Sequence, residues 1–119
     1  MNNEFLFSKV YKEVGRILED LETMITIDRA AEYNAKGAAF HRKNIVRAFV
    51  QARKKVENLE VMCVEHKCID GADYCTEILQ VVGSVENRWV DNFTDFFFYP
   101  RIDKCLDQLG EINCKYYVD

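Results

Sequence analysis

Thirteen residues hold most of the soft-ligand and nucleophile chemistry of this 119-residue chain: Cys63-x2-His66-x-Cys68-x6-Cys75. Thiolate and imidazole are ligands for zinc or copper(I), and a chain reversal at this point would bring the four side chains together. The spacing is not the CxxC or HxxxH pattern of the common zinc modules, and Cys63 and Cys75 fall on apolar stripes where a small hydrophobe serves as well. Three readings stay open for the segment: a metal- or thiol-responsive site, a disulfide from Cys63 or Cys68 to Cys75, or inert core thiols. Five cysteines leave at least one unpaired under any internal scheme. The opening residues carry no basic leader or cleavage site, so reduced thiols are expected. No cofactor is expected beyond the zinc or copper that this segment could hold.

Catalytic readings find little support. Ser8 and Ser84 are the only serines, both inside expected helices, and His41 and His66 are the only histidines available as general bases. There is no glycine-rich phosphate loop and no dinucleotide fingerprint. Glu19-x2-Glu22 and Glu57-x2-Glu60 lie largely off the core stripes, and no Glu-x-x-His follows them. A cysteine nucleophile beside His66 lacks a third, orienting group. The chain is therefore read as a non-enzyme.

Charge is segregated along the sequence. The net charge is −4, yet residues 33–56 contain Arg42, Lys43, Arg47, Arg53 and Lys54, with Lys36 and Lys55, and no acid. A basic helix face of this kind can sit on phosphates or on an acidic protein surface, including Glu19-Asp20-Leu21-Glu22 of the same chain or a second copy. The interleaved aromatics of single-strand binders are missing from this face, as are zinc-finger and helix-turn-helix signals. Nucleic acid is the alternative partner rather than the first.

Tyr74-Cys-Thr-Glu-Ile-Leu-Gln80, followed by Val85 and preceded by the basic run from His41 to Lys55, is slightly similar to the ligand-bearing helix of copper- and nickel-sensing helical repressors. In that family a histidine and a cysteine four residues apart follow late in the helix. Here Pro100, Arg101 and Cys105 stand with no histidine, and the chain is not assigned to the family.

The most apolar corner is Phe96-Phe97-Phe98-Tyr99. One helix face cannot bury four consecutive aromatics, so some must cover another element or a partner. Trp89, Phe93, Phe97 and Phe98 are the expected contact residues.

These groups need elements to hold them. One proline and five glycines are too few to punctuate an all-β chain. From Phe7 the apolar residues Val10, Val14, Ile17, Leu21 and Met24 follow at steps of three and four, which predicts a first helix over about 3–33. Asn34 and Gly37 break it. Ala38, Ile45, Ala48, Phe49, Ala52, Val56, Leu59 and Cys63 share a sector and predict a second helix over 38–65. Cys75, Ile78, Val82, Val85, Trp89 and Phe93 predict a third over 71–98. Pro100 suits the first turn of a fourth over 100–113, with Gly110 as a stop.

The expected fold is all-α, a four-helix up-and-down bundle forming a single domain over residues 1–119. No window approaches a membrane span. The expected function is that of a non-enzymatic helical interaction or regulatory protein, intracellular, self-associating as a homo-oligomer and binding a protein partner. The alternative is a nucleic-acid-binding regulator that uses the basic face of the second helix and responds to metal or thiol state.

Overall fold

A computed structural model of the protein describes residues 3–34, 38–91 and 96–117. The chain is all-α: α1 (Asn3–Asn34), α2 (Ala38–Glu65), α3 (Ile69–Val82) and α4 (Phe98–Tyr116), with a 3₁₀ turn at Asn87–Val90 between the last two. Each helix packs on the next in an up-and-down bundle, and the 3₁₀ turn rests on α2. The 51 Å long axis follows from α1, whose length at about 1.5 Å per residue sets the reach of the molecule. No described helix is long and apolar enough to cross a membrane.

The seam of α1 is Leu6, Val10, Val14, Ile17, Leu18, Leu21 and Ile25. It is rotated slightly from the expected stripe, so Phe7 is only half-buried and Met24 is exposed. From α2 come Ile45, Val46, Ala48, Phe49, Ala52, Val56 and Cys63, and from α3 Tyr74, Cys75, Ile78 and Val82. Both faces obey the 3.6-residue period, which lets Phe49 and Tyr74 be wholly buried.

α2 ends where the sequence predicts, in a Schellman turn. Cys68 N–H donates to Cys63 C=O at 2.8 Å and Lys67 N–H to Val64 C=O at 3.1 Å. Lys67 takes the left-handed position at φ 56° that glycine usually fills.

The third helix is shorter than its apolar spacing predicts. It stops at Val82, where the Ser84 hydroxyl donates to Val81 C=O at 2.7 Å and Gly83 N–H to Leu79 C=O at 2.8 Å, satisfying carbonyls that a longer helix would have paired. Val85 and Val90 still reach the core from the connection, which preserves the stripe without the helix. α4 begins two residues before Pro100 and runs through Gly110 to Tyr116. Gly110 is not a stop, because an exposed helical glycine costs only about 1 kcal/mol against alanine.

Candidate interaction surface

At one end of the bundle the charged groups of α1 and α2 turn towards each other. Arg42 Nε donates to Glu32 Oε1 at 2.8 Å, with both side chains nearly buried. Its guanidinium lies 4.9 Å from the Phe98 ring centre and 5.3 Å from that of Tyr99. Beside it His41 Nδ1 is 3.0 Å from Asp28 Oδ1, to which Asn44 also donates. Arg29 pairs with Asp103 of α4 at 2.8 Å and lies over the Tyr99 ring. Burial, and then the adjacent Glu32 carboxylate, push the Tyr99 hydroxyl's pKa up.

Arg42 is thus a correction to the basic face. It is a structural cation between helices, not a group offered to phosphates, and its inward position was readable: it stands three residues before Ile45 and seven before Phe49 on the core stripe. The remaining basic residues divide. Lys43, Arg47 and Lys54 are exposed, and among the described residues they have no ion-pair partner. Arg53 is half-buried and lies 3.5 Å from Glu57 one turn on. Lys43 and Arg47 border a 390 Å³ groove with Val46, Val50, Asn87, Val90 and Asp91.

The aromatic corner also divides. Phe98 is wholly buried under Arg42 and belongs to the core, so it is not a partner contact within this fold. Phe97 is 67% and Phe96 91% exposed. Trp89 is half-buried, with the Arg101 guanidinium 5.6 Å from its ring and 6.0 Å from that of Phe97. Phe93 lies outside the described residues. Phe96, missing from the expected contact set, is the most exposed large apolar side chain among the described residues; the run of four aromatics was the signal for it.

The soft-ligand segment does not assemble as four. Cys63, Cys68 and Cys75 are buried, whereas His66 is exposed on the turn. Among the described residues no group of three or more histidine, cysteine, aspartate or glutamate side chains is placed to hold a metal ion. Burial is the main cause that pushes the Cys63 thiol up to about 11 and the Cys75 thiol up to about 12. All five cysteines are free thiols.

At the opposite end Phe7, Tyr11, Tyr74 and Tyr116 stack with ring centres between 5.2 and 6.4 Å apart. Tyr11 donates to Asn113 C=O at 2.8 Å, Tyr74 to the Asn113 side chain and Tyr116 to Glu77. These bonds lock α4 against α1 and α3. No family model, curated protein or solved structure matches the chain.

Proposed function

We propose that this protein is a non-enzymatic helical interaction protein that self-associates, and takes a protein partner, through the surface of Phe96, Phe97 and Trp89 with Arg101 beside them. The observation that carries the reading is the exposure of two consecutive phenylalanines, 91% and 67%, next to a third that is wholly buried. Phe98 fixes the backbone, so its neighbours are held outward and lose little further freedom on binding. Covering each phenyl is worth roughly 1.5–3 kcal/mol, and aromatic and arginine groups are those that anchor interfaces. An intracellular setting, where the five thiols remain reduced, accompanies the reading.

A second reading draws on Lys43, Arg47 and Lys54, exposed cations with no ion-pair partner among the described residues: a nucleic-acid-binding regulator. Light scattering coupled to size exclusion, at low and high salt and with a mixed nucleic-acid pool, separates the two. A salt-insensitive oligomer that ignores nucleic acid supports the aromatic surface. Co-elution with nucleic acid that disappears at high salt, and is lost in Arg47→Glu/Lys54→Glu, supports the second. A monomer that binds no nucleic acid in either salt removes both self-association and the phosphate role.

A further inference from the structure

The solvent side of α2 carries a second periodic stripe that neither the core nor the aromatic surface uses. Arg47, Val50, Lys54, Glu57, Val61 and Val64 follow one another at steps of three and four, the spacing of a coiled-coil seam. They lie across the helix from the buried stripe of Ile45, Phe49, Ala52, Val56 and Cys63. Val50 is half-buried at the edge of the groove beside the 3₁₀ turn, and the other five are exposed. Helix formation alone does not favour valine at such positions, since β-branched residues are weaker helix formers than alanine, glutamate or lysine.

The order of the stripe is self-complementary. About a two-fold axis passing between Lys54 and Glu57, an antiparallel second copy of α2 sets its Glu57 opposite Lys54 and its Val61 opposite Val50. Arg47 then lays its stem over Val64 of the second copy, with Glu65 of that copy one position further on. Each contact occurs twice, as an isologous interface requires. A parallel pair would instead set Arg47 on Arg47, Lys54 on Lys54 and Glu57 on Glu57, which are like-charge layers. Within the chain these charges are little used. Arg47 and Lys54 have no ion-pair partner among the described residues, and Glu57 meets Arg53 of its own helix at 3.5 Å while staying exposed.

We propose that α2 pairs antiparallel with α2 of a second copy along this stripe, over about 26 Å from Arg47 to Val64. The contact is separate from the Phe96 and Phe97 surface, and it gives Arg47 and Lys54 a protein partner in place of phosphate. Exposed charge pairs add little affinity and mainly fix register and direction. The valine layers therefore carry the attraction, and the contact is a weak one that fills at high protein concentration.

The test is sedimentation equilibrium of the full chain carrying Phe96→Ser/Phe97→Ser, at concentrations up to about 1 mM. The aromatic contact is then absent, so the result does not depend on it. The expected result is a dimer that grows in with concentration. Adding Lys54→Glu sets carboxylates against each other at both central layers and should weaken the dimer about tenfold or more. The exchange Lys54→Glu/Glu57→Lys should restore it, because opposite charges then face each other again in this register. Circular dichroism checks that each variant is folded; should a charge variant unfold, Val61→Ser on the same background decides instead and should dissociate the dimer. A monomer over the whole range, a dimer that Lys54→Glu or Val61→Ser leaves unchanged, or an exchange that fails to restore it would overturn the proposal.

Discussion

Replacing Arg42 by methionine is the sharpest test of how the helical hairpin is held. The Arg42 and Glu32 side chains are only 11% and 12% exposed and meet at 2.8 Å, with the guanidinium against the Phe98 and Tyr99 rings. Methionine keeps most of the packing volume but leaves the Glu32 carboxylate buried without its cation. Removing one partner of a buried pair costs about 3–5 kcal/mol. Glu32 sits in the last turns of α1 and can turn towards water, which argues for the lower end, about 3 kcal/mol. For a chain of this size that corresponds to a Tm drop of about 12 °C. Thermal denaturation followed by circular dichroism at neutral pH measures it, with Lys43→Met as the control at the neighbouring exposed position. The control should move stability by no more than about 0.5 kcal/mol. Pairing Arg42→Met with Glu32→Gln should recover most of the loss, because no unpaired charge then remains. Equal melting temperatures for Arg42→Met and Lys43→Met would refute the inward assignment.

Phe98→Ala, which empties a wholly buried phenyl, should cost about 3–5 kcal/mol in urea unfolding; a cost below about 1 kcal/mol would return Phe98 to the surface set. Lys67→Gly removes a side chain held at φ 56° and should stabilise the fold by about 0.5–1 kcal/mol, whereas a loss of stability would mean that the lysine side chain contributes packing to the turn. Alkaline pH should weaken the fold. Burial raises Cys63 from 9.0 to about 11 and Cys75 from 9.0 to about 12, and the hydrogen bond to Glu77 leads the rise of Tyr116 from 10.0 to about 12. The folded state therefore prefers their protonated forms, and this stability is complete below the unfolded values and lost as pH rises through the folded ones. A urea midpoint that is level or rising between about pH 8 and pH 10.5 would contradict that sign.

Two long helices were legible because their apolar steps of three and four run unbroken; α1 ends at Asn34 and α2 begins at Ala38, and the expected break at Gly37 lies outside the described residues. The end of α3 was not, since Val85, Trp89 and Phe93 continue the same spacing beyond it. Periodicity cannot distinguish a helix that continues from a connection that feeds the same core, and the Ser84 and Gly83 hydrogen bonds decided the matter locally. The aromatic run announced a division between core and surface without assigning it. Phe98 is buried in the core and Tyr99 packs half-buried beside it, with the Arg42 and Arg29 guanidiniums against their rings. Those cations are partnered by Glu32 and Asp103, on α1 and α4. The acidic half of the buried network could be read in part: Asp28 and Glu32 extend the α1 seam beyond Leu21 and Ile25 by steps of three and four. Charge type alone hid that, since a seam is sought among apolar residues.

Self-association through Phe96 and Phe97 is most directly tested by sedimentation equilibrium of the wild type beside Phe96→Ser/Phe97→Ser. Both side chains are exposed, so the double variant should keep its helical content and melting behaviour when monomeric. The expected result is a wild-type oligomer that the double variant dissociates at the same concentration and salt. A wild type that sediments as a monomer at every concentration, or a variant whose assembly is unchanged, would contradict the interaction surface.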